Sequence, residues 1–218
     1  MRSLALRKSG IVALVLMALI PGTALAATLS LDATYMNLRL SSPGASLTKN
    51  LPGVQIRLRQ DLGNKWSDAL TLSGSTSQSF TAVNAGFSVG KAFSAGPIWL
   101  RPAIHLQGNW VSIPGLSFRT VDAGLGLHAF YPITSKLTAY VSVSAGETFD
   151  NHLSLTVYGP LKLAGSTTGG LTYGGSAGLG YAVGPGVVSL GYHYQRTPIA
   201  PVLKMTTGQA ELGYRISF

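Results

Sequence analysis

The chain has 218 residues, 16 Lys and Arg against 7 Asp and Glu, a formal net charge of +9 and no cysteine. Without cysteine there is neither a disulfide scaffold nor thiol catalysis, and no basic cluster or helix of the kind that contacts nucleic acid is present. Positive mean hydropathy combined with 27 glycines, and no apolar run after Ile20 long enough to cross a bilayer as a helix, predicts apolar residues spread over alternating strands.

At the amino terminus Arg2, Arg7 and Lys8 precede the uninterrupted apolar run Ile11 to Ile20. Pro21 and Gly22 break that run, and Ala24-Leu25-Ala26 supplies small residues at cleavage spacing. This is the pattern of a cleaved secretory signal peptide over 1–26, leaving 27–218 as the mature domain. The run is too short to span ~30 Å of hydrocarbon as a helix. Loss of the three leader cations takes the formal charge from +9 to +6. In an exported chain, that excess points to outer-membrane lipid and phosphate-rich lipopolysaccharide as partners, with no nucleic acid.

Ten strands are predicted, over 28–40, 53–61, 68–76, 80–93, 98–112, 118–131, 136–149, 170–183, 187–196 and 206–218. Eight is the alternative, because the connections at 62–67 and 77–79 are weakly marked. In the first strand Leu29, Leu31, Ala33 and Tyr35 share a face, and Leu38 and Leu40 then continue on the other parity. A β-bulge at Met36-Asn37 would restore the face. Turn-forming residues mark tight connections at 94–97, 132–135 and 184–186. Longer loops are predicted at 41–52, 150–169 and 197–205, and this asymmetry sets them outside the cell. Trp66, Phe93, Trp99, Tyr131, Tyr181 and Phe218 fall near one predicted boundary and Trp110, Phe118, Phe149, Tyr173 and Tyr194 near the other, as two aromatic belts would.

The last strand alternates strictly, with Leu212, Tyr214, Ile216 and Phe218 on one face and Gln209, Glu211, Gly213, Arg215 and Ser217 on the other. A chain stopping within such a strand leaves an apolar edge unless another strand closes against it. The terminal pattern Glu211-x-Gly213-x-x-Ile216-x-Phe218 resembles the C-terminal β-signal of Gram-negative outer-membrane β-barrels. Related patterns run through 122–129 and 176–183 and begin at Asn84, each heading toward a short turn. The resemblance implies an antiparallel up-and-down transmembrane β-barrel with periplasmic termini, with the secretion and barrel-assembly machinery as transient partners. It identifies no particular family within that class.

Taking the polar parity of each strand as the interior places there Asp32, Arg57, Arg59, Asp61, Asn84, Arg101, His105, Gln107, Asp122, His128, His193, Gln195, Glu211 and Arg215. Unpaired charges are costly in a narrow barrel. The four arginines are therefore expected to pair with Asp32, Asp61, Asp122 and Glu211 as a structural plug, the alternative being a cationic constriction that selects anions. Small residues of the seventh and eighth strands, among them Ser142, Ser144, Gly174, Ser176 and Gly178, predict an off-axis lumen narrower than a porin channel.

Candidate chemistry is sparse. His105, His128, His152 and His193 lack metal-ligand spacing, and no cofactor motif is present. His152-x-Ser154 is slightly similar to the His-x-Ser element of lipid A deacylases. That resemblance would make Ser154 the nucleophile, His152 the base and Glu147 its orienter, but Leu155 stands where that family has Asn. The expected function is accordingly non-enzymatic: a narrow pore or a structural or surface component of the cell envelope. The alternatives are a deacylase-like enzyme and an adhesin or ligand-binding barrel acting through its loops.

Overall fold

The computed structural model describes residues 26–156, 162–167 and 169–218. The signal-peptide segment lies outside the described residues apart from Ala26, which begins the first strand. Twelve strands follow in order: β1 (Ala26–Ser42), β2 (Ala45–Gly63), β3 (Trp66–Ser77), β4 (Phe80–Lys91), β5 (Phe93–Ala95), β6 (Ile98–Ile113), β7 (Leu116–Pro132), β8 (Leu137–Thr156), β9 (Lys162–Thr167), β10 (Leu171–Val183), β11 (Gly186–Ala200) and β12 (Leu203–Ser217). Each long strand pairs antiparallel with its neighbours, β8 pairs with β10, and β12 pairs with β1. The result is a closed ten-stranded barrel. β5 prolongs the β4 hairpin, pairing only with β6, and β9 lies outside the ring on the upper half of β8.

The seam joins the two ends of the described chain. Ala27 N donates to Phe218 O and Phe218 N to Ala27 O, both at 2.9 Å, and the ladder continues from Thr28↔Ser217 to Ser41↔Lys204. No edge remains in the ring. Both termini therefore sit at one end, which also carries the Asn64-Lys65 turn, where both residues have positive φ as a two-residue hairpin of matching twist requires.

The side chains are arranged inside-out relative to a water-soluble barrel. Along β1, Leu29, Leu31 and Tyr35 are exposed while Ser30, Asp32 and Thr34 between them are buried. Val54, Ile104, Leu125, Leu190 and Leu212 are likewise exposed on the outer face. Alternation with the apolar side outward is stable only where the surroundings are themselves apolar.

Three sequence expectations change. First, β1 has no bulge at Met36-Asn37: its register against β2 and β12 is unbroken, so Met36, Leu38 and Leu40 continue the inward row of Asp32. The interior itself changes from polar to apolar. A register shift lies instead between β7 and β8, where Val121 faces Asp150 but Asp122 faces Thr148, leaving Phe149 as the extra residue. Second, 41–52 and 197–205 are not open loops. Both are strand extensions, β1 to β2 turning at Pro43-Gly44 and β11 to β12 at Pro201-Val202. Third, part of 150–169 is also strand, since β8 continues to Thr156 and pairs with β9.

Gly213 shows how tightly the seam fits. It faces Asp32 in the ladder, and a Cβ built on it would collide with the Asp32 carboxylate. By contrast, a Cβ on Gly74 would meet nothing within 4 Å. Gly213→Ala should therefore lower the temperature at which the folded, heat-modifiable gel band disappears, whereas Gly74→Ala should leave it nearly unchanged. Coupling Gly213→Ala to Asp32→Ser should cost less than the two changes summed.

Candidate functional site

The inward rows of the ten strands form three layers. Nearest the termini are Arg57, Arg59 and Asp61 on β2, Arg101 on β6, His128 on β7 and Arg215 on β12. Above them lies a neutral and acidic layer, with Asp32, Gln55, Asn84, Gln107, Asn109, Asp122, Gln195, Gln209 and Glu211. At the far end is an apolar cluster of Met36, Leu38, Leu40, Leu51, Ala82, Val111, Phe118, Ile199 and Met205. Leu38 and Leu51 are each 1% exposed and Ile199 is 0% exposed. Phe118 belongs to this cluster and not to the outer aromatic belt. Tyr35, exposed on the outer face, stands in that belt with Tyr173 and Tyr194.

The lumen is crossed, not merely lined. Gln107 Nε2 on β6 donates to Gln195 Oε1 on β11 at 2.9 Å, linking nearly opposite walls of the ring. Above that bond, residues of β1, β4, β6 and β12 line a cavity of only about 20 Å³. The small-residue wall is also filled. Tyr140 points inward over Gly178 and Gly191, where a Cβ would meet its hydroxyl. The off-axis lumen expected along this wall is thus occupied, at the level of Gly178, by an aromatic ring on the same strand as Ser142 and Ser144.

The expected plug of four arginines on four acids does not form. Among the described residues the ion pairs within 4.0 Å are His105–Asp122 at 4.0 Å, inside, and Arg119–Asp150 at 3.0 Å, on the outer face. The inner acids accept hydrogen bonds from neutral donors instead. Ser30 Oγ reaches both Asp32 oxygens at 3.0 Å, Gln55 Nε2 reaches Asp32 at 3.3 Å, and Gln209 Nε2 reaches Glu211 at 3.1 Å. Asn109 Nδ2 approaches Asp122 at 3.4 Å, and Asp61 accepts from Gly63 N at 2.9 Å within its turn. Arg101, 5% exposed, donates to the Ser67 hydroxyl at 2.9 Å and the Ser67 carbonyl at 3.0 Å. Neutral donors satisfy a carboxylate without closing an ion pair, so the arginines are segregated at the terminal end of the barrel.

There, Arg59, Arg101 and Arg215 line a cavity of about 260 Å³ together with Ala92, Trp99, Leu100 and Phe130. Lys65 Nζ stands 5.8 Å from the Trp99 ring centroid. Arg57 points inward yet stays exposed, so this part of the lumen is open to solvent. Nothing in the strand pattern reveals this cavity: Trp99 reads as a belt aromatic, although it and Phe130 occupy inward rows and face each other in the ladder.

The residues similar to a deacylase site are only partly brought together. His152 and Ser154 project from the outer face of β8, opposite Arg119 and Ser117 of β7. Glu147 lies on the other side of the bulge, five residues from His152 and on the order of 16 Å along the strand. The carboxylate beside His152 is Asp150, and it is engaged by Arg119. Of the assembly-signal positions, Glu211 and Gly213 face inward, while Ile216 and Phe218 are exposed on the terminal turn of the seam strand.

No protein-family model matches the sequence, and neither does any curated protein. Among solved structures, the outer membrane protease OmpT from Escherichia coli superposes with a TM-score of 0.60 at 10% identity, covering 91% of this chain and 98% of that one. The fold is that of bacterial outer-membrane β-barrels. Ail of Yersinia pestis, in complex with the heparin analogue sucrose octasulfate, is 20% identical with a TM-score of 0.42, covering 87% and 99%. Neisserial surface protein A is 16% identical with a TM-score of 0.40, covering 87% and 97%. At such identities the likeness is one of fold, which does not carry a role with it.

In this outer-membrane fold the end carrying the termini is periplasmic and the protruding hairpins are extracellular. The apolar cluster thus fills the extracellular half of the barrel. Replacing Leu38 by Ala should cost about 2–5 kcal/mol, read as a lowered urea midpoint for the folded gel band. Arg119→Ala, which breaks an exposed pair, should shift it by no more than about 1 kcal/mol.

Proposed function

We propose that this protein is a non-conducting, non-enzymatic outer-membrane barrel, a structural and surface-contact component of the envelope. The carrying observation is the filled extracellular lumen, with Ile199 at 0% exposure in an apolar cluster and Gln107 bonded across the barrel to Gln195. An ion passing this region would shed its water among Met36, Leu38, Leu51, Val111 and Phe118 and meet only the hydroxyls of Thr197 and Thr207 in exchange, too few to replace a hydration shell. What remains for function on the outer side is the surface. The extended hairpins present Asn37 bonded to Asn50 at 2.7 Å and the outward cations Arg39, Arg196 and Lys204.

Those three cations suit lipopolysaccharide as the lipid partner. Arg39, Thr206 and Arg196 form one cross-strand row over β1, β12 and β11, with Lys204 one outward step above. The terminal strand, with Glu211, Gly213, Ile216 and Phe218, is proposed as the segment read by the barrel-assembly machinery.

Planar-bilayer recording of the refolded mature protein should show no discrete conductance steps, and steps in the wild type would overturn this reading. The double variant Met36→Gly, Leu38→Gly, which removes two inward side chains, should introduce conductance if it folds. For the enzymatic alternative, Ser154→Ala should leave lipid A acylation unchanged by mass spectrometry. A difference between wild type and this variant would establish the hydrolase instead.

A further inference from the structure

The filled extracellular half turns the remaining lumen into a blind cup opening to the periplasm, and the cup gathers four arginines against a single inward acid, Asp61, at its rim. Arg215 and Arg57 flank Ser30 in one inward row, and Arg59 follows one inward step nearer the mouth. On the facing wall, Arg101 sits opposite His128 in the β6–β7 ladder. None of these guanidinium groups has a carboxylate within 4.0 Å among the described residues. The acids above them are held by Ser30, Gln55, Gln209 and Asn109, and Asp61 is held by its own turn.

Several like charges converging on one partly enclosed space raise its free energy, and the fold could have relieved this with the acids it already carries inside. Instead it fixes Arg101 to Ser67, which holds that side chain in place without neutralising it. A planar, always-charged donor fork matches phosphate and carboxylate oxygens. The other lining is aromatic and aliphatic: Trp99, Phe130 and Leu100. Its volume of about 260 Å³ is below the usual range for drug-sized ligands, which limits the occupant to a small molecule.

We infer that this periplasmic cup is a binding site for a small phosphorylated molecule, its phosphate held by Arg59, Arg101 and Arg215 and its apolar part seated against Trp99 and Phe130. The inference rests on the lumen being closed above, which the conductance experiment tests separately. A barrel that conducts and still binds would remove the closed-lumen reading and leave the site standing.

The test is isothermal titration calorimetry of the full mature barrel, refolded in neutral detergent, with phenyl phosphate, inorganic phosphate and phenol as probes. Phenyl phosphate should bind saturably at one site, inorganic phosphate more weakly, and phenol not at all. The double variant Arg59→Gln, Arg215→Gln should weaken phenyl phosphate binding by roughly tenfold or more. Arg119→Gln on the outer face should leave it unchanged, with heat-modifiable migration confirming that each variant is folded. Absence of saturable phosphate binding in the wild type, or equal affinity in the folded double variant, would overturn the assignment. Should the double variant fail to fold, Trp99→Ala must weaken phenyl phosphate while sparing inorganic phosphate, and loss of neither would count equally against it.

Discussion

Every other feature of this barrel depends on one constraint: in hydrocarbon, a backbone amide or carbonyl has no partner except another backbone group. The chain meets it with a single continuous ladder, in which the amide and carbonyl of the final residue, Phe218, exchange hydrogen bonds with Ala27. Once the ladder is closed, side-chain direction is fixed by parity alone. Apolar residues can then face lipid on one parity while the other is free to vary along the strand. The interior is therefore a separate design space from the membrane-facing wall.

β1 shows how that freedom is used. Its lower half has Leu29 and Leu31 outside and Asp32 inside, whereas its upper half has Asn37 and Arg39 outside and Leu38 inside. The polarity inverts about Tyr35, where the strand leaves lipid for water, and the barrel above that level is organised like an ordinary soluble one with a dry core. The same core seals the lumen. The extracellular half gains stability from burying Leu38, Leu51 and Ile199, and the cost is that nothing passes through. The periplasmic half has no such core: Arg57 there is exposed, while Arg101 is buried against Ser67.

Much of the architecture was legible in the sequence. All ten strands of the ring correspond to predicted ones, including the hairpins around 62–67 and 77–79, and the outward face is the apolar face throughout the membrane. Where the reading failed, it assumed one environment for a whole strand. On that assumption Leu38 and Leu40 ask for a bulge to bring them outward, whereas it is their surroundings, not their parity, that change. The same assumption made loops of 41–52 and 197–205, whose alternation is inverted and so did not read as membrane strand. The inner charges failed for another reason: equal numbers of arginines and acids suggest pairing, but strand register sets their heights, and it puts the acids beside Ser30, Gln55 and Gln209. The cavity at the periplasmic mouth joins residues from β2, β6, β7 and β12, whose proximity is a property of the closed ring and of no local pattern.

The fit of Asp32 over Gly213 has a bearing on how the cylinder is finished during biogenesis. The first and last strands meet only after everything between them is in place, so an error there traps a complete but misaligned molecule. A slip of one residue would reverse every face of the incoming strand. A slip of two would preserve the faces but set Asp32 against Glu211 or Arg215, replacing the one inward position without a side chain by a bulky charged one. Only the native alignment gives the carboxylate somewhere to lie, so this glycine acts as a keyway that rejects near-miss closures before the ladder zips shut.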